Sequence, residues 1–158
     1  MRFLAELIAL KVRAGDVIAL RGDLGAGKTT FARALIRTLL GNDEAEVPSP
    51  TFPLVQSYAS PRISVAHFDL YRLAGEEDLV EIGFHDAAAN GLAIVEWPER
   101  AQDALGTDLL EIRFSSGPSS ERRRIDVVAH GAWTGRLSRI KSIEHFLVLA
   151  LGLAPPIR

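Results

Sequence analysis

Apolar residues along this chain switch between two spacings, and the switches predict its elements. Leu4, Leu7, Ile8 and Lys11 to Val12 read as a short amphipathic helix at the N-terminus. Val17-Ile18-Ala19-Leu20 is an unbroken apolar run of strand length. From Thr30 to Leu40 the helical period returns, with Phe31, Leu35 and Leu39 on one face, and Gly41 stands where a helix C-cap belongs. Asn42 to Glu46 is an acidic turn. Val47 to Pro53 carries Pro48, Pro50 and Pro53, which excludes a helix interior and predicts an ordered extended loop. Leu54 to Tyr58 and Ile63 to Phe68 read as strands separated by Ala59-Ser60-Pro61-Arg62. Glu76 to Ile82 and Phe84 to Asn90 read as helical pieces broken at Gly83. Gly91 to Val95 has a buried-strand pattern, Trp97-Pro98 turns the chain, and Glu99 to Leu105 reads as a short helix. Leu109 to Phe114 and Arg124 to Ala129 form a strand pair joined by the loop Ser115 to Ser120. Thr134 caps a last helix running to about Leu151, with Leu137, Ile140, Ile143, Leu147 and Ala150 on one face. Strands alternating with helices predict an α/β fold, a mostly parallel sheet flanked by helices with an antiparallel edge.

One connection in this pattern carries chemistry. Gly22-Asp23-Leu24-Gly25-Ala26-Gly27-Lys28-Thr29 matches G-x-x-x-x-G-K-S/T, between the apolar run that ends at Leu20 and the helix that starts near Thr30. Glycines let Asp23, Leu24, Gly25, Ala26 and Gly27 wrap a polyphosphate with backbone N–H groups, and the helix N-terminus, through Thr30, adds a favourable dipole. Lys28 reaches the terminal phosphates, and the Thr29 hydroxyl can ligate Mg²⁺. A plain glycine turn between strand and helix would not need Lys-Thr at the helix start. The fold expected is therefore that of P-loop NTPases.

Composition bounds the rest. A chain of 158 residues suits one domain with a real core. We place a single P-loop domain at residues 1–135 and a C-terminal helix and tail at 136–158. A net charge of −2 gives no global basic footprint for nucleic acid. With no cysteine, disulfides and thiolate metal sites are excluded, which fits a reducing cytoplasm. Phe146 to Ala154 is apolar but too short to span a membrane, and the charges at Arg2, Glu6, Lys11 and Arg13 argue against a secretory signal.

A phosphate loop only binds; hydrolysis also needs an acid near the metal, at the end of a neighbouring strand. Glu96 ends the run Leu92 to Val95, and Asp69 ends the run Ile63 to Phe68. Both would lie at carboxyl ends of sheet strands, where α/β folds hold ligands; taken alone, each is also an ordinary helix N-cap or solvent-facing strand end. Thr51, in the proline-rich loop, stands where switch-type NTPases sense a γ-phosphate, or in a merely rigid turn. His67 reads as a satisfied structural group. Arg72 is placed to meet phosphate charge or to pair with Glu76 or Glu77. Trp97 lines a nucleotide pocket or is plain core. The run Arg122-Arg123-Arg124 is a solvated face, or a contact for a base, a phosphate or an acidic partner. No N/T-K-x-D segment supports guanine specificity, and Thr30 stands where a G-x-G-x-x-G pattern needs its third glycine.

Four segments in order, Gly22 to Phe31, Ser49-Pro50-Thr51-Phe52, His67 to Leu73 and Val95-Glu96-Trp97-Pro98-Glu99, resemble the TsaE (YjeE-type) family across residues 4 to about 130. That family consists of bacterial ATPases needed for the threonylcarbamoyladenosine modification of tRNA, with TsaB and TsaD as partners. The resemblance implies ATP or ADP and Mg²⁺ as ligands, the ion held by Thr29 and Glu96. It implies a switch-like loop at Ser49, Pro50, Thr51 and Phe52, Asp69 as a second acid that orients water or metal, and Trp97 as an aromatic near the nucleotide. Catalysis would then rest on Lys28, Asp69 and Glu96, and tRNA would be met only through the complex, with no membrane involved. Relative to the family, the chain begins inside the first helix, past a strand and a threonine-bearing turn near the adenine. Ala154-Pro155-Pro156 resembles an approach to a linker to a further domain. Against the ATPase switch stand a small-molecule kinase on the same architecture and a regulatory module without useful turnover.

Overall fold

The computed structural model describes residues 1–75, 77–116 and 123–138. The elements run α1 (Arg2–Ala9), β1 (Val17–Arg21), α2 (Lys28–Leu40), β2 (Val55–Ala59), β3 (Ser64–Asp69), α3 (Glu77–Glu81), α4 (Phe84–Asn90), β4 (Leu92–Glu96), β5 (Leu109–Ser116) and β6 (Arg123–Ala129). They build one six-stranded sheet in the order β2-β3-β4-β1-β5-β6. The four central strands, β3, β4, β1 and β5, are parallel, and β1 and β4 are continuous apolar runs because both their faces are covered.

Both edges of the sheet are antiparallel, β2 against β3 and β5 against β6, where the sequence predicts one such edge. The reason at the first edge is the length of the connection. Residues 60–63 are enough for a hairpin, whereas a parallel pair needs a crossover of a dozen residues or more.

On one face of the sheet, α1 and α2 pack Ile8, Phe31, Leu35 and Ile36 against Ile18, Leu20, Ile94 and Ile112. On the other, α3 and α4 bring Leu79 and Phe84 onto Val17, Ala19, Phe68 and Val95. Phe31 is fully buried, which contributes about 1.5–3 kcal/mol on area grounds. It anchors α2 a single turn below the glycine loop. Gly41 ends α2 in the left-handed conformation the C-cap pattern predicts, its N–H meeting Arg37 and Thr38 carbonyls.

Other details depart from the sequence reading. The stretch read as a helix over Glu99 to Leu105 is two 3-10 turns, Pro98–Arg100 and Gln102–Leu105, because Ala101 between them leaves the helical conformation (φ −149°, ψ 40°). The last helix starts at 133 rather than after Thr134, and the Asp108 carboxylate caps its start by accepting the Ala132 N–H at 2.8 Å. Its predicted continuation to Leu151, and the loop beyond Ser116, lie outside the described residues. Packing of the domain continues through residues 133–138. Trp133 is fully buried under the Arg136 guanidinium at 4.0 Å, and Arg136 clamps Asp16 with two 2.7 Å bonds. Among the described residues no helix is long and apolar enough to cross a membrane.

Candidate functional site

The glycine loop leaves the carboxyl end of β1 and enters α2. Gly22, Gly25 and Gly27 all hold positive φ (144°, 75° and 112°). At Gly22 a side chain is doubly excluded, since a Cβ there would stand 2.6 Å from the Phe114 carbonyl oxygen. No side chain caps the start of α2, the arrangement in which first-turn N–H groups can meet an anion.

Register then fixes the acids. Glu96 ends β4 opposite Leu20 of β1 on one side and Asp69 of β3 on the other. In parallel strands such partners share a face, so both carboxylates point to the α2 side, as Leu20 does. Asp69 and Glu96 are both buried. Glu96 Oε2 accepts the Thr29 hydroxyl at 2.8 Å, and its Oε1 meets His67 Nε2 at 2.8 Å. Asp69 Oδ2 accepts the Thr51 hydroxyl at 2.8 Å, and its Oδ1 accepts the Tyr71 N–H at 3.1 Å. Ser49 and Thr51 share a further 2.8 Å bond. The proline-rich segment is thus tied through Asp69 to the carboxyl end of β3. Bonds between charged and neutral groups of this kind contribute about 1.5–3 kcal/mol each.

Lys28 is buried, and its Nζ donates to the Gly22 and Asp23 carbonyls at 2.6 and 2.9 Å. Its ammonium also lies 3.8 Å from the centre of the Trp97 ring, which in turn meets Tyr71 at 4.9 Å. Burial pulls the Lys28 ammonium below its ordinary pKa, against the attraction of Glu96, Glu99, Asp69 and Asp23. Trp97 and Leu54 are the non-glycine residues that hold positive φ, at 59° and 64°, among those described. Such backbone costs about 1–2 kcal/mol per residue. The two residues flank the acids, Trp97 next to Glu96 and Leu54 with its carbonyl accepting the Asp69 N–H at 3.0 Å.

Leu24, Gly25, Gly27, Lys28, Thr29, Thr30, Ser49, Thr51, Asp69, Glu96 and Trp97 line one cavity of about 210 Å³. Four segments far apart in sequence meet there. Asp23 and Ala26 face a neighbouring hollow of about 370 Å³ with Phe114 and Ser115. Pro50 is buried and Phe52 is 82% exposed under the Arg72 guanidinium, and neither lines the cavity. Arg72 therefore stacks on Phe52, a third arrangement beside the two its sequence position suggested. Arg124 pairs with Asp126 on the surface of β6, away from the cavity.

The sequence reading missed His67 as part of the site, although a signal was present. Residues two apart on a strand share a face, so a histidine two before Asp69 must point where Asp69 points.

A larger hollow of about 640 Å³, lined by Arg21, Gln102, Glu111, Arg113 and His130, lies elsewhere on the sheet. There Glu111 is already matched. Burial pushes its carboxyl up, but its bonds to Arg113 (2.5 Å) and Arg21 pull it below the ordinary carboxylate range.

The donors at the smaller cavity suit a hard cation. They include the Thr29 hydroxyl and the Asp69 and Glu96 carboxylates, oxygen ligands of the kind Mg²⁺ takes. Among the described residues no group of three or more His, Cys, Asp or Glu could hold a metal by itself. An ion here would complete its shell with phosphate oxygens and water, as Mg²⁺ does at nucleotide sites.

A strand, glycine loop and helix at the middle of a mainly parallel sheet, with acids on the adjoining strand ends, define a P-loop α/β protein. The sequence profile of the family described as "Threonylcarbamoyl adenosine biosynthesis protein TsaE" matches residues 1–125. The chain belongs to the TsaE family. It is 37% identical over 119 residues to the tRNA threonylcarbamoyladenosine biosynthesis protein TsaE of Rickettsia conorii, covering 75% of this chain and 67% of that one. It is 36% identical over 121 residues to the protein of the same name from Bacillus subtilis, covering 75% and 73%. The crystal structure of Bacillus subtilis YdiB superposes with a TM-score of 0.72 at 27% identity, over 90% of this chain and 88% of that one.

Proposed function

We propose that this protein is a Mg²⁺-dependent ATPase whose nucleotide state controls its assembly with TsaB and TsaD in forming threonylcarbamoyladenosine on tRNA. The observation that carries the reading is the pairing at the strand ends. Glu96 holds the Thr29 hydroxyl of the phosphate loop, and Asp69 beside it holds the Thr51 hydroxyl of the proline-rich loop. One acid is thereby joined to the element that would bind phosphates, the other to the element that would respond to them. The pathway comes from the family and from the names of the similar proteins.

In this reading the loop amides from Asp23 to Thr30 cradle the phosphates, and Lys28 gives up its carbonyl partners to meet them. Thr29 and Glu96 are the residues that would hold Mg²⁺, whose charge offsets that of the β- and γ-phosphates. Asp69 orients the attacking water, and its bond to Thr51 makes the loop sensitive to that arrangement. Trp97 shields the lysine from solvent. The kinase alternative asks for an arginine-bearing lid, and Arg124 sits instead in an edge strand paired with Asp126.

The test is phosphate release from ATP, measured for the protein alone and then with TsaB and TsaD. Slow release that rises with the partners is the expected result. ADP formed only when a small hydroxyl compound is supplied would replace this reading with a kinase.

A further inference from the structure

We infer that His67 is a positioning residue for Glu96, fixing the carboxylate so that one oxygen faces Thr29 and the metal position. This deepens the reading of the cavity as a Mg²⁺–nucleotide site and rests on it.

The placement follows from strand geometry. His67 pairs in register with Ile94, two residues before Glu96 on the adjoining strand and on the same face. Its imidazole reaches along that face to Glu96 Oε1 at 2.8 Å and is entirely shut off from solvent. Both oxygens of Glu96 are thus engaged, Oε1 by His67 and Oε2 by Thr29. The terminal torsion of a glutamate is broad and two-fold, so a carboxylate held at one oxygen still turns. Held at both, its plane is fixed relative to the cavity. A carboxylate that serves as a cation ligand can only accept, so the imidazole proton belongs on Nε2.

The other ring nitrogen argues against a role in packing alone. Nδ1 is buried and has no hydrogen-bond partner. An apolar side chain of similar size would fill the space without leaving a buried acceptor unmet. What the imidazole supplies that an apolar residue cannot is its one polar contact, to Glu96. Groups that orient metal ligands in this way change metal affinity when they are removed.

The test uses the full chain, with Mn²⁺ as a spectroscopic substitute for Mg²⁺ and ADP as the nucleotide. Mn²⁺ binding to the ADP complex is followed by electron paramagnetic resonance, and ADP binding in EDTA by calorimetry. His67→Leu should weaken Mn²⁺ binding by about 10–100-fold and leave ADP affinity in EDTA unchanged. His67→Gln, whose amide nitrogen reaches about as far as Nε2, should restore Mn²⁺ binding. His67→Asn, whose amide falls short at the Nδ1 position, should not; if the leucine variant fails to fold, the glutamine and asparagine pair decides. Leucine or asparagine variants that bind Mn²⁺ as the parent does would overturn the inference while leaving the site reading intact. So would a leucine variant that loses ADP affinity in EDTA to the same degree. A parent that binds no Mn²⁺ in the presence of ADP would overturn the site reading, and this inference with it.

Discussion

Replacing Glu96 with glutamine should move nucleotide affinity in opposite directions with and without metal. The carboxylate is buried between Thr29 and His67, and glutamine keeps its shape and a hydrogen-bonding oxygen while removing one negative charge. A sphere of about 210 Å³ has a radius of roughly 4 Å, so a phosphate in the cavity lies roughly 5 Å from this lining carboxylate. At an effective dielectric of about 20, two unit charges at that distance repel by about 3 kcal/mol. The cavity opens to solvent, which reduces the figure to the order of 1–2 kcal/mol, or about ten-fold in affinity. In EDTA, therefore, Glu96→Gln should bind ADP about ten-fold more tightly than the parent. In Mg²⁺ the sign should reverse, because a neutral amide oxygen would hold the ion more weakly than the carboxylate and less of its charge would offset that of the phosphates. Calorimetric titration of ADP in EDTA and in excess Mg²⁺, for both proteins, gives the four constants required. If the variant binds ADP more weakly than the parent in EDTA, the carboxylate does not face phosphate. If Mg²⁺ tightens both proteins equally, Glu96 is not its ligand.

Three further outcomes follow from the same geometry. Lys28→Ala should remove tight ATP binding, at about 1.5–3 kcal/mol for each charged hydrogen bond lost; unchanged affinity by calorimetry would sink the phosphate-loop assignment. Thr51→Ala should shrink the difference in TsaB–TsaD affinity between the ADP form and a form with a non-hydrolysable ATP analogue, since the Thr51 bond to Asp69 is what joins the loop to the acid. Equal affinities for both nucleotides and both proteins would leave Thr51 a structural residue. Away from the cavity, the Glu111 carboxyl titrates below its ordinary value of 4.5 in the folded protein. It therefore contributes stability that is complete above that value and is lost as pH falls through the folded one. Glu111→Gln should flatten the acid-side loss, so denaturation curves at pH 7 and pH 4 should differ less for the variant than for the parent; an equal difference would discount the Arg21 and Arg113 bonds.

The parts of this site that could be read from the sequence are those that rest on local pattern. The switch from an apolar run to a helical period around Gly22 to Thr29 placed the loop, and acids at the ends of apolar runs placed Asp69 and Glu96 at strand termini. What needed the fold was register. That Asp69 and Glu96 stand side by side, and that His67 reaches Glu96, depends on how β3 aligns with β4. Neither strand encodes that alignment alone. The second antiparallel edge was implicit in the short connection at residues 60–63, which permits only a hairpin. The Asp108 cap on the last helix was not visible at all, because its acceptor lies 24 residues before the N–H it receives. The break at Ala101 escaped for a related reason, since an alanine gives no local sign that its backbone leaves the helical conformation.

Lys28 never has to wait for a ligand to find acceptors, because the Gly22 and Asp23 carbonyls already take its protons. A phosphate that engages this ammonium competes with the protein's own backbone, so the two carbonyl bonds are subtracted from the charge attraction the lysine adds to affinity. The same contest works in reverse on departure. When a bound anion leaves, the lysine would return to the carbonyls, so its buried charge would not be left unpaired. An internal competitor of this kind limits how tightly any anion at this ammonium can be held.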